Sequence, residues 1–341
     1  MLRVFALALG LAACSAAKSG NGHGGQASGN HAGSGGNTTQ QAGSGGDGTF
    51  GNPTGNGGMN ALPLDAGRIA IDGGNCNQDV DIVFVLDVSG SMIPPLTKLV
   101  SEVDKVDAAL KAKHLPGPPH YGLVIFVDDV IVLNNGMAYA TLDDAKAAIN
   151  NEIATTNTNP GRQAAPGGAF NNDWPENAID GLYAAATGFQ WRDTATTLRT
   201  VILITDASFR DLTKVSSAAG DPMMLETGNG TITSMHSYDE TIAALRDHSI
   251  WVNTFTAKTG GPPTLNPSPP SHGAFRGVDV NVGIGYFEPY DGRNAIAEST
   301  GGLAWDIDDV FDGKISLATP INQAVEDRQC VSYPPPPPPP E

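Results

Sequence analysis

Val80 to Leu86 reads VDIVFVL, apolar at all but one position. Such a run has no wet face to offer, so it predicts a strand covered on both sides, as in the middle of a parallel sheet. Leu123–Val127, Val201–Ile204 and Ile250–Phe255 have the same character. Between these runs, apolar residues recur at spacings of three and four. Leu96, Leu99, Val100, Val103, Val106 and Leu110 form the clearest series, with Ile179 and Leu182, Ile242 and Leu245, and Ile315, Ile321 and Val325 further on. Strands that alternate with helices specify an α/β fold: a doubly wound, mostly parallel sheet flanked by helices.

The rest of the chain is of other material. Residues 1–13 read as a signal peptide. Residues 14–75 are rich in Gly, Asn and Ser, and cannot bury enough apolar surface to offset their ordering entropy, so they predict a flexible tether. Residues 76–330 hold the domain, and 331–341 form a proline-rich tail suited to a stiff polyproline II segment. Within the domain, Ser208–Ser237 and Lys258–Tyr290 are rich in Gly, Pro and polar residues and read as surface loops inserted between elements.

At the N-terminus, Arg3 is followed by the apolar run Val4–Ala13, too short to span a bilayer as a mature helix. Leu11-Ala12-Ala13-Cys14 resembles the lipobox of bacterial lipoproteins. That resemblance implies lipidation at Cys14, cleavage before it, and a membrane anchor in the bacterial cell envelope. Ser15 is no aspartate-type retention signal, which leans towards the outer membrane. An incidental cysteine after an ordinary signal peptide is the alternative. Cys76 and Cys330 bracket the domain, and an oxidising compartment favours a disulfide between them over two free thiols.

The formal net charge is −17, which argues against a nucleic-acid partner. It is compatible with hard cations, although most of the acids need do no more than keep the protein soluble. The strand Val80–Leu86 runs into Asp87-Val88-Ser89-Gly90-Ser91. One carboxylate and two hydroxyls in a strand-to-helix turn give hard oxygen donors at the end of the sheet where open α/β folds bind ligands. Taken alone, the same residues serve equally well as helix caps. Val201 to Asp206, VILITD, is a second buried strand ending in an acid, and Asn171-Asn172-Asp173-Trp174-Pro175-Glu176 leads into a helix, with Pro175 and Glu176 suited to its first turn.

These three segments, in this order, resemble the von Willebrand factor A family and its metal-ion-dependent adhesion site. Asn171, Asp173, Pro175 and Glu176, with Phe126-Val127-Asp128 and Thr205-Asp206-Ala207, are similar in motif to the I-like domain of integrin beta subunits. The resemblance covers most of residues 79–327 and implies a Rossmann-like fold. It further implies Mg²⁺ or Mn²⁺ contacted directly by Ser89, Ser91 and Glu176, with Asp87 and Asp206 acting largely through water. A second ion, Ca²⁺, is implied at Asp128, Asn171, Asp173, the Pro175 carbonyl and the shared Glu176. Pro94 and Pro95 stand where that subfamily carries acids for a third ion, and proline side chains cannot ligate.

The functional expectation is a membrane-anchored binding protein. Its partner is a protein that presents an Asp or Glu carboxylate to the open metal position, while the lipid supplies contact with the membrane. The rivals are a metal-assisted hydrolase and a structural envelope lipoprotein with an idle site. Against the hydrolase, the sequence has no nucleophile elbow and no H-E-x-x-H, and His114, His120, His236, His248 and His272 are scattered.

Overall fold

A computed structural model describes residues 78–113, 115–166, 171, 176–211, 225–226, 231–232, 236–258 and 282–334. Cys14, the tether, Cys76, Asp173, Pro175, the prolines from 335 onward and most of both inserted stretches lie outside the described residues.

Six strands form one sheet in the order β3-β2-β1-β4-β7-β8. They are β1 (Asp79–Asp87), β2 (His120–Phe126), β3 (Val130–Val132), β4 (Thr197–Thr205), β7 (Ile250–Thr256) and β8 (Ala304–Asp306). A separate two-stranded pair, β5 (Leu225–Glu226) and β6 (Thr231–Ile232), lies between β4 and β7 in sequence. Every pairing within the larger sheet is parallel except that of the edge strand β3 with β2. The helices are α1 (Ile93–Ala112), α2 (Leu142–Thr158), α3 (Ala178–Gly188), α4 (Tyr238–Asp247), α5 (Ile296–Thr300), α6 (Ile307–Phe311) and α7 (Ala318–Arg328). This is the doubly wound, mostly parallel α/β fold that the sequence predicts.

The apolar runs are buried as their composition requires. Val80, Ile82, Phe84 and Leu86 of β1 face a cluster with Leu96, Leu99 and Val103 of α1, Ile149 of α2 and Ile321 of α7. Val83 and Val85 face the other cluster, with Ile179 and Leu182 of α3 and Leu245 of α4. Both faces of β1 are therefore dry, which is why the strand shows no alternation. Each large apolar side chain fully buried in these layers stabilises the fold by about 1.5–3 kcal/mol before entropy is counted.

From β1 the chain winds to β2 and β3 on one side, then to β4, β7 and β8 on the other. The order reverses between β1 and β4, and the carboxyl ends of those two strands frame the crevice that such sheets use for ligands. α1 leaves this crevice at once. Pro94 and Pro95 sit in its first turn, where a missing N–H costs nothing.

Two expectations need correction. The inserted stretches are not surface loops throughout. Ser208 to Asp211 are buried, as are Val282, Tyr286 and Tyr290. Phe209, Tyr238, Tyr286 and Tyr290 pack ring against ring with centroids 5.0–5.8 Å apart, so the ends of both insertions are core material. The helix after Asn171 also begins later than expected, at Ala178. The backbone of Glu176 is otherwise engaged: its N–H donates to the Ser208 carbonyl at 2.9 Å, and the Asn177 N–H donates to the Val127 carbonyl at 2.7 Å. Among the described residues no helix is long and apolar enough to cross a membrane.

Candidate metal centre

Asp87 is the last residue of β1 and is completely buried. Its Oδ1 accepts the Ser89 backbone N–H at 2.8 Å, and its Oδ2 accepts the Thr205 hydroxyl at 2.7 Å. Thr205 ends β4, so this bond ties the two central strands together across the switch point. Asp206 follows directly, also buried. Its Oδ1 accepts the Ser91 hydroxyl at 3.1 Å, and the Ser89 and Ser91 hydroxyl oxygens are 3.2 Å apart. Asp87, Ser89, Ser91 and Asp206 thus form one connected cluster of hard oxygen donors. A Cβ on Gly90 would come within 3.0 Å of the Pro160 carbonyl oxygen, so the turn lies against the loop that follows α2.

Glu176, buried as well, reaches the same end of the sheet through its backbone bond to Ser208, two residues beyond Asp206. The Asn171 side-chain amide donates to its Oε1 at 2.9 Å. Burial pushes the hydroxyl of Tyr286 well above its ordinary range, and the charges of Asp87 and Glu176 add to that, so this ring senses both carboxylates. Tyr286 carries no periodic signal, since it comes from within an apparent loop.

Burial raises the pKa of Asp87, and its bonds to Ser89 and Thr205 pull back only part of the shift. Asp206 is raised by burial and then by the negative charge of Asp87. Two like charges out of water and close together require a counter-charge or a proton. The hydrogen bonds they receive among the described residues come from hydroxyls and backbone N–H groups, which carry no full charge. Asp206 Oδ2 is buried and has no hydrogen-bond partner among the described residues. An orphaned carboxylate oxygen beside two serine hydroxyls fits a hard divalent cation. Among the described residues, no three or more His, Cys, Asp or Glu side chains form a ready-made metal cage. The donor set here is of a different kind, half of it hydroxyl.

Asp128, expected at a second ion, is differently engaged. It follows β2, and its Oδ1 lies 2.5 Å from the Arg210 Nη2 in a salt bridge buried on both sides. The Gln163 side-chain amide donates to its Oδ2, and the Asp128 backbone N–H returns a bond to Gln163 Oε1 at 3.0 Å. The carboxylate is thus already paired with a full positive charge, a setting that the expectation of a Ca²⁺ ligand at this position did not include. Asp173 and Pro175, the other expected donors, lie outside the described residues.

A hydroxyl-and-carboxylate cluster at the switch point of a doubly wound sheet is the class of site that the fold defines. No family model matches the sequence, and no curated protein matches it either. Among solved structures the chain is similar to an aerotolerance-related membrane protein from Bacteroides fragilis, at 16% identity over 73% of this chain and 99% of that one, TM-score 0.40. BatB from Bacteroides thetaiotaomicron is similar at 13% identity over the same shares, TM-score 0.38. Proximal thread matrix protein 1 from the mussel byssus, with zinc in its MIDAS motif, is similar at 16% identity, TM-score 0.33; the match covers 55% of this chain and 40% of that one. These likenesses are remote, and the fold assignment stands on strand order and register alone.

Proposed function

We propose that the domain is a von Willebrand factor A-type binding module. In this reading it holds one divalent cation with Asp87, Ser89, Ser91, Glu176 and Asp206, and takes a carboxylate of a protein partner at that cation. The observation that carries the reading is the orphaned Asp206 Oδ2 beside the linked Ser89 and Ser91 hydroxyls. When bound, the ion supplies positive charge and an open coordination position. The chain's own part is to hold the donors still. Thr205 fixes one oxygen of Asp87, the Ser89 N–H fixes the other, and Ser91 bridges the first turn of the site to Asp206. Oxygen-only donors favour Mg²⁺ or Mn²⁺ over softer metals.

Binding to an acidic partner should then depend on the metal. In a pull-down from envelope or host extracts, EDTA, Ser89→Ala and Asp206→Ala should each weaken capture more than tenfold, equivalent to at least about 1.4 kcal/mol, with circular dichroism unchanged. A partner held equally well after the metal is stripped would refute the reading.

We also propose a lipid anchor at Cys14, on the strength of the Leu11–Cys14 motif and the polar stretch after it. Two or more acyl chains would make attachment effectively stable. Replacing Cys14 with Ser should move the protein from the membrane to the soluble fraction; a Cys14→Ser variant that still sediments with membranes removes the anchor from the account.

A further inference from the structure

Four buried carboxylates gather at the carboxyl ends of β1, β2 and β4: Asp87, Asp128, Glu176 and Asp206. They are not equivalent. Among the described residues Asp87 and Asp206 receive bonds from hydroxyls and backbone N–H groups, whereas Asp128 faces a full positive charge. Arg210 is 1% exposed, and its Nη2 is 2.5 Å from Asp128 Oδ1. A guanidinium cannot shed its proton in a protein, so this charge is permanent.

We propose that the Arg210 guanidinium is a built-in cation that takes the place of a second metal ion, making this a one-ion site. The proposal rests on the metal reading above and goes beyond it by assigning the second positive charge to the chain itself.

The surroundings are those of a positioned group. Asp129, beside Asp128, accepts the backbone N–H groups of Ala164 and Ala165 at 2.6 and 2.8 Å, which holds the loop that carries Gln163. Gln163 then closes a two-way contact with Asp128, amide onto carboxylate and carbonyl onto backbone N–H. The Asp128 carbonyl accepts the Asn177 side-chain amide at 3.0 Å, and Asn177 is the neighbour of Glu176. On the other side Phe209, the neighbour of Arg210, pairs with Glu176 in an isolated bridge. Arg210 therefore lies within a closed circuit that sets the backbone of Glu176, the expected metal ligand contributed by the segment before α3. A second ion would do the same work by coordinating Asp128. With the guanidinium on that carboxylate, an added divalent cation would meet a neutralised acid and a like charge.

Breaking a buried ion pair leaves an uncompensated charge, so the pair can be interrogated from either side. The test is calorimetric ion counting on the full chain with Mg²⁺ alone, Ca²⁺ alone and both together. One ion per chain is expected under all three conditions, with Ser91→Ala abolishing it. Two ions in the unaltered protein would overturn the proposal and leave the metal reading standing; none would overturn both. Arg210→Ala should raise the count to two when Ca²⁺ is present, and Arg210→Lys should keep it at one. A count still at one in Arg210→Ala would also overturn it. Should Arg210→Ala fail to fold in EDTA, Ca²⁺ should restore folding, and adding Asp128→Asn to it should restore folding without Ca²⁺. Folding restored by the double substitution but not by Ca²⁺ would refute the replacement of ion by guanidinium.

Discussion

At the scale of single residues, the site is defined by what each carboxylate is given to hold. Asp87 and Asp206 are short of positive charge, while Asp128 has it from Arg210. This difference sets a pH dependence. The ordinary value for both aspartates is 3.8, raised in the folded chain to about 6 for Asp87 and about 8 for Asp206. A raised carboxyl means that the metal-free fold prefers the proton, so its contribution is favourable at low pH and is lost as pH rises through those values. A cation takes the proton's place and reverses the trend. Affinity for Mg²⁺ or Mn²⁺ should therefore climb between about pH 4 and pH 8, by up to about tenfold per unit for each proton displaced. Calorimetry in buffers of different ionisation enthalpy would detect the released protons, and an affinity flat across this range would contradict the electrostatics described here.

At the scale of elements, four strands and the long first helix were legible because their apolar residues leave no choice of partner. β1, β2, β4 and β7 fall on the four apolar runs to within a few residues. The short edge strand β3 and the outer strand β8 were not legible, since three residues carry no readable period. α2 was missed although Thr141 and Asp144 form a capping box, because its buried face is sparse: Ala145, Ile149, Glu152 and Thr156. The ends of the two insertions were misread because their anchors are aromatic and polar. Asp211, 1% exposed, accepts the Tyr238 N–H at the start of α4 at 3.1 Å and the Tyr290 hydroxyl at 2.9 Å. Asp211→Ala would strand both donors in a dry place. We expect it to lower stability by about 2–4 kcal/mol, read from the urea midpoint, with little change in metal affinity. A loss below about 0.5 kcal/mol would mean that the insertions are not tied down through this carboxylate.

At the scale of the whole molecule, the fold places its donors by topology more than by local motif. Asp87 and Thr205 are far apart in sequence and share a hydrogen bond because β1 and β4 are neighbours at the point where strand order reverses. That much follows from the alternation of strand and helix, which brings Asp87 and Asp206 to neighbouring strand ends, whereas Ser89 and Ser91 taken alone would serve equally well as helix caps. Arg210 and Gln163 could not be anticipated in this way. Each lies in a stretch without periodicity, and only the assembled fold brings them to Asp128. The Cys330 N–H donates to Gln78 Oε1 at 3.0 Å, which joins the two ends of the domain, although Cys76 lies outside the described residues. The central question is where positive charge sits when the site is filled. A crystal of the full chain grown with Mn²⁺ would locate it directly, through the anomalous signal of the ion. One peak is expected, bonded to the Ser89 and Ser91 hydroxyls beside Asp206, with Arg210 still on Asp128. No peak there, or a peak on Asp128 with the guanidinium displaced, would contradict this expectation.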